Sequence, residues 1–402
     1  MKFVENILES IGKHFKEGKP LAPLHPFFEA NETFFLSPKE TTKVCPHVRD
    51  DVDLKRLMSV VIVALVPCLI YGIYNSGYQS FYATGNLLGK SFFDICLRGL
   101  IQVLPLIIVS YAVGLFWEFL FCIVRKHEMN EGFLVTGLLF PLIVPPTLPL
   151  WQAAVGISFG VVLGKEVFGG TGMNIFNPAL TARCFIFFSY PAQMSGEVWA
   201  AINSTSEKMV DGFTGATALG LAAGVERGTS AVKALGDAGY SFGMLFFGLV
   251  PGSIGETSTF MCLIGAFILI ITGVASWRIM LGCILGATGM AAIFNIAFVT
   301  LLGSVPLKGI WSLPPHWHMV MGGFAFGAVF MATDPVSSAA TTTGKWIYGI
   351  CIGAMAILIR VINPAYPEGM MLAILFMNIW APLIDYYVVE GKLNKRRARI
   401  AK

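Results

Sequence analysis

One hydroxyl, a few carboxylates and a glycine-rich turn are the groups of this chain best suited to chemistry. The hydroxyl is Thr217, in the run Asp211-Gly212-Phe213-Thr214-Gly215-Ala216-Thr217-Ala218-Leu219, a polar interruption between long apolar segments. A threonine approached over the small residues Gly215 and Ala216 is open to a modifying enzyme and to a bulky phosphate. The chemistry it offers is that of an accessible alcohol, able to form an ester. Thr214 puts a second hydroxyl before the glycine and Asp211 an acid upstream. The tripeptide alone decides little, because Gly286-Ala287-Thr288 repeats it inside an apolar run that no modifying enzyme could reach. An ordinary turn is the competing reading of the first copy.

Asp334 and Asp385 lie within or at the end of apolar stretches, as does Glu118. Carboxylates at membrane depth are costly and mark ion pathways by default, and a hard cation such as Na+ prefers oxygen ligands. Thr333 and Ser337 flank Asp334 with hydroxyls, yet an Asp-Pro helix cap explains the same residues. Asp385 reads equally as an interfacial carboxylate paired with the basic tail, and Glu118 as a partner for a neighbouring subunit. Gly169-Gly170-Thr171-Gly172 resembles a phosphate-cradling loop. It also suits close packing around a broken helix before Asn177-Pro178.

The elements that position these groups are membrane helices. Of the 402 residues, 55% are hydrophobic and 13% charged, against roughly a quarter charged in a soluble domain. Mean hydropathy is +0.70. Met1 to Val52 is polar, without the apolar core of a signal peptide. A net charge of +4 gives no argument for nucleic acid. The eight cysteines contain no Cys-x-x-Cys pair, so the sequence offers no metal or iron–sulfur site by itself.

Apolar runs near the roughly 20 residues that cross a bilayer predict ten spans, at 56–76, 98–124, 133–147, 149–164, 178–199, 256–276, 279–302, 317–333, 345–360 and 369–389. Pro141 and Pro145-Pro146 interrupt the third, and the apolar piece Phe242 to Val250 is too short to cross. Interrupted helices persist only where backbone is buried in protein or lines a cavity. The expected architecture is all-α and polytopic: about ten transmembrane helices in two inverted five-helix halves with broken helices. Its parts are an N-terminal head (1–54), a first half (55–199), a loop region holding Thr217 (200–255), a second half (256–390) and a basic tail (391–402). Most of the 28 Lys and Arg residues fall on the side of the N-terminus, helped by Lys392, Lys395, Arg396, Arg397, Arg399 and Lys402 in the tail. Both termini are therefore expected in the cytoplasm, and the 200–255 loop on the opposite, periplasmic face.

His127-Glu128-Met129-Asn130-Glu131-Gly132-Phe133, Pro145 to Trp151, Gly164 to Ala179 and Met331 to Ser337 resemble the B subunit of the Na+-translocating NADH:quinone oxidoreductases. The Thr217 motif resembles their site of flavin attachment. The resemblance covers essentially the whole chain. It implies one subunit of a six-subunit pump in the bacterial inner membrane, which passes electrons from NADH through flavins to ubiquinone and exports Na+. It implies FMN esterified to Thr217 by a periplasmic flavin transferase, with Asp211, Thr214, Gly215 and Ala216 around it, and a non-covalent riboflavin. Gly169, Gly170 and Thr171 are then candidates for contact with riboflavin or quinone. Glu131 and Gly132 are candidate lining for a quinone pocket, with a plain helix start as the alternative. His127 is a candidate proton donor to a reduced quinone. No Gly-x-Gly-x-x-Gly in a strand–helix unit is found, which fits NADH binding elsewhere.

Two other functions compete. The flavin subunit of Rnf-type ferredoxin:NAD+ reductases shares the attachment motif but has a shorter N-terminal head. A solute channel of urea-channel-like architecture would also use broken helices in two inverted halves, and would be colourless.

Overall fold

The computed structural model describes residue 45 and residues 54–125, 132–194, 216–226, 228–301, 309–363 and 367–400. The expected N-terminal head except residues 45 and 54, and His127, Glu131, Asp211, Thr214 and Gly215, lie outside the described residues. Within them all regular structure is helical. Five helices are long and apolar enough to cross a membrane: α1 (Leu54–Ala83), α2 (Phe92–Arg125), α10 (Trp277–Leu301), α12 (Thr342–Ile362) and α13 (Met370–Ile400).

Between α2 and α10 the helices are shorter. Besides a single turn at Pro191–Met194, they are α3 (Gly132–Leu142), α4 (Leu150–Val162), α5 (Pro178–Ser189), α6 (Ala218–Gly224), α7 (Ala231–Asp237), α8 (Phe242–Phe247) and α9 (Thr259–Ile271). At 1.5 Å per residue, helices of 11 to 13 residues such as α3, α4, α5 and α9 reach about 16–20 Å, short of a hydrocarbon core of about 30 Å. The expected spans 133–147, 149–164, 178–199 and 256–276 are thus cut short, the first and third of them next to prolines. α3 tolerates Pro141 and stops before Pro145-Pro146. α5 stops at Tyr190, whose successor Pro191 disfavours helical backbone before it. The expected span 317–333 is two pieces: α11 (Pro315–Val320), a break at Met321-Gly322-Gly323, then a helical turn and a π-helix at Gly327–Met331.

The longest packing seam uses small residues. Gly282 and Gly286 of α10 lie against Gly349 and Ile350 of α12, and Gly353 lies against Cys283. Such small-x-x-x-small faces let backbones touch where lipid supplies no hydrophobic drive. The second Gly-Ala-Thr copy belongs to this seam, and Thr288 bonds its own helix at Ile284 O, 2.7 Å away. α2 packs on α4 and α4 on α5, while α10 packs on α12 and α12 on α13. A second core is built by α6, α7, α8 and α11, from Ala218, Leu219, Ala222, Leu235, Leu245, Leu313 and Trp317.

Candidate functional site

Thr217 ends an extended stretch and caps α6: its Oγ accepts from Gly220 N at 3.1 Å. A threonine at this position satisfies one of the helix's free amide groups. The preceding carbonyl, Ala216 O, accepts from the Tyr240 hydroxyl at 2.8 Å. Leu219 packs into the second core and reaches the break at Gly322. The predicted attachment residue is therefore held from both sides, half-buried rather than swallowed.

It stands at a cavity of about 80 Å³ whose lining includes Leu219, Leu245, Val250 and Val320 as apolar wall. The charged groups of that lining are Arg183, Glu256 and Glu368. Arg183 Nη1 donates to Glu256 Oε1 at 2.6 Å, with both side chains about 95% buried. Glu368 Oε1 accepts from Gly323 N at 2.7 Å and so pins the break. Arg360, fully buried, donates to His318 O at 2.6 Å and Met321 O at 3.0 Å. Two guanidinium groups and two carboxylates meet at this end of the molecule. An apolar slot with a few convergent polar groups is the usual form of a cofactor site.

A second cavity of about 70 Å³ joins the two halves of the chain, with Gly132, Lys165, Thr171, Asn177, Phe330 and Asp334 in its wall. Three residues singled out from sequence meet here: Gly132, Thr171 and Asp334. The turn that delivers Thr171 has Gly169, Gly170 and Gly172 at φ of 121°, 97° and 93°, a region side-chain-bearing residues avoid. Thr171 Oγ1 is buried without a hydrogen-bond partner, an unusual state that a bound polar group would relieve. Gly170 is buried in the turn and Gly169 exposed; neither lines this cavity. Asn177 opens α5 by accepting from Ala179 N and Leu180 N at 3.0 and 3.3 Å, with Pro178 at the first helical position. Arg183 lies six residues along the same helix, about 9 Å of rise from Asn177, so α5 contributes to the walls of both cavities.

The acids behave differently from one another. Asp334 Oδ2 accepts from Ser337 Oγ at 2.7 Å and Oδ1 from Val336 N at 3.3 Å, leaving it on the cavity wall. The Thr333 hydroxyl donates a hydrogen bond to Val329 O at 2.6 Å. Asp385 lies outside both cavities. It accepts from Ala340 N (2.6 Å), Thr341 N (3.0 Å) and Thr341 Oγ1 (2.5 Å), and so fastens α13 to the start of α12. Glu118 needs no partner outside the chain, because Lys165 Nζ pairs with it internally. Both are almost wholly buried, as is Glu166, which Arg125 holds at 3.4 Å.

Sequence reasoning missed Arg183, Arg360, Glu256, Glu368 and the Lys165–Glu118 pair. A signal was present for Arg183 and Arg360: arginines inside apolar spans are as costly as acids, and only Asp334, Asp385 and Glu118 were weighed.

The sequence model of the NQR2, RnfD, RnfE family matches residues 41–394. Curated relatives match along their whole length. The chain is 47% identical, over 98% of its residues and 99% of the relative's, to the Na(+)-translocating NADH-quinone reductase B subunit of Stutzerimonas stutzeri (strain A1501). The same figures hold for the protein of that name in Ectopseudomonas mendocina (strain ymp). A third, from Klebsiella pneumoniae (strain 342), is 47% identical over 98% of this chain and 99% of its own.

Proposed function

The chain belongs to the NQR2, RnfD, RnfE family, and from that premise we propose that it is the membrane subunit of a Na+-translocating NADH:ubiquinone oxidoreductase, carrying FMN esterified to Thr217. The names of its relatives support this complex over an Rnf-type reductase. Attachment joins Thr217 Oγ to the FMN phosphorus and releases AMP from FAD. When bound, the flavin supplies the electron chemistry. The chain's own residues hold the tether, wall the ring and exclude water.

The observation that carries this reading is the position of Thr217, half-buried at a slot walled by aliphatic side chains and by the buried Arg183. The second cavity is our candidate for the non-covalent ring ligand, riboflavin or the quinone head group, with the unpartnered Thr171 Oγ1 and Gly132 in its wall. Glu131, one residue before Gly132, is proposed beside it. Asp334 is the proposed Na+ contact, because it faces a cavity. Asp385 is proposed to set the position of α12, one step removed from the ion.

The helix pairings support two inverted halves of five membrane segments, α1–α5 and α9–α13 with the broken α11 segment counted as one. The basic tail favours both termini in the cytoplasm of the inner membrane and Thr217 on the periplasmic side, where an exported flavin transferase reaches it.

The test is mass spectrometry of the peptide Asp211 to Leu219, from a host that has the flavin transferase. A gain of one FMN less water at Thr217 is expected, and Thr217→Ala should lose in-gel flavin fluorescence. An unmodified peptide would overturn the proposal and favour the colourless channel.

A further inference from the structure

The Thr217 cavity holds charge where a tethering site needs none. A phosphoester needs only the hydroxyl at the rim, yet the lining includes Arg183, Glu256 and Glu368. Isolated charges in this setting cost several kcal/mol each. Here they form one cluster around the break in the α11 segment. A side-chain carbon on Gly323 would meet Glu256 Oε1 at 2.5 Å and Glu368 Oε1 at 2.8 Å. One on Gly322 would meet Glu368 Oε2 at 2.7 Å, Leu219 Cδ2 at 2.8 Å and Arg360 Nη2 at 3.3 Å. The two carboxylates and Arg360 thus crowd one double glycine, and Leu219, two residues from Thr217, packs on the same spot.

Resting on the assignment of a flavin to Thr217, we infer that Arg183, Glu256 and Glu368 are the positioning charges that set that flavin's reduction potential. Arg360 stands behind the break, outside the cavity lining, and adds a second positive charge beside the two carboxylates. A flavin that has taken up two electrons and one proton carries one extra negative charge. In a low-dielectric slot that charge interacts strongly with fixed neighbours. Arg183 favours it and the two carboxylates oppose it. The Arg183–Glu256 bond holds both side chains in place in the wall, and Glu368 is held by Gly323 N.

The experiment is an optical redox titration of the assembled complex, with the Thr217 flavin isolated by subtracting the Thr217→Val complex. Covalent flavin is checked beforehand by in-gel fluorescence. Glu256→Gln and Glu368→Gln preserve shape and remove a negative charge. Each is expected to raise the potential by at least a tenfold change in the equilibrium, about 30 mV for a two-electron couple. Arg183→Gln is expected to lower it by as much, and Arg183→Lys to leave it within that limit. Should Arg183→Gln not assemble, the two glutamate variants and the Arg183→Gln/Glu256→Gln pair, expected to fall between the singles, decide the matter. Glu166→Gln, an equally buried carboxylate in the other cluster, should not move this flavin. Potentials unchanged in both glutamate variants, or moved downward, would overturn the inference while the fluorescent band keeps the Thr217 assignment. Absence of that band from the unsubstituted protein would overturn the assignment itself.

Discussion

Gly132 and Thr171 touch across the second cavity: a side-chain carbon on Gly132 would lie 2.7 Å from Thr171 Cγ2 and 3.4 Å from its Oγ1. They are 39 positions apart in sequence, on α3 and on the glycine turn before α5, and the contact joins the two at the cavity wall. Gly132→Ala should therefore push Thr171 and its unpartnered hydroxyl aside. The expected result is a several-fold rise in KM for ubiquinone or a loss of riboflavin from the purified complex. Covalent flavin at Thr217 should stay at its normal level. A variant with unaltered KM and riboflavin content would remove this wall from ligand binding.

Asp334 and Asp385 should part company when neutralised. Asp334→Asn, on the cavity wall, is expected to raise the Na+ concentration for half-maximal turnover several-fold. Asp385→Asn loses charge-assisted hydrogen bonds to Ala340 and Thr341, each worth about 1.5–3 kcal/mol when shielded and less at this half-exposed position. Its signature should be a lower melting temperature with Na+ dependence intact. The reverse pattern would exchange their roles.

The Lys165–Glu118 pair is expected to be all-or-nothing. Removing one partner leaves a buried charge alone, at a cost of about 3–5 kcal/mol, whereas replacing both is far milder. Lys165→Met should sharply reduce the amount of assembled complex, and Lys165→Met/Glu118→Gln should restore much of it. Equal yields from the single and the double variant would show that the pair does not govern folding.

Tyr240 steadies the carbonyl before Thr217. Burial pushes its phenol up to about 12, above the roughly 10 of an exposed tyrosine. The hydrogen bond to Ala216 O is therefore complete below about pH 10 and fails only as pH rises through the folded-state value. Tyr240→Phe should lower the fraction of chains carrying covalent flavin at any ordinary pH. Wild-type occupancy should be flat between neutral and mildly alkaline pH. Full loading of the phenylalanine variant would leave Tyr240 without a part in attachment.

Much of this was legible in the chain. Prolines placed the break near 145, and the polar setting of Thr217 separated it from Thr288. Apolar run length was the weaker guide. It made full spans of 133–147 and 178–199, because hydropathy cannot distinguish a helix that crosses the bilayer from a half-depth helix followed by buried, hydrogen-bonded loop. It also could not foresee that Gly132 and Thr171 would meet, since that contact depends on tertiary packing. Asp385 illustrates the same limit. Its carboxylate is an ion ligand or a backbone clamp depending on two amide groups 44 and 45 residues away.

One helix serves both cavities. Asn177 and Pro178 at the start of α5 stand in the wall of the second, and Arg183 of the same helix in the wall of the first. Because α5 is a continuous helix of 12 residues, a shift of its first turn is carried along the rod to the Arg183–Glu256 bond. What fills one cavity is therefore mechanically linked to the charges that wall the other.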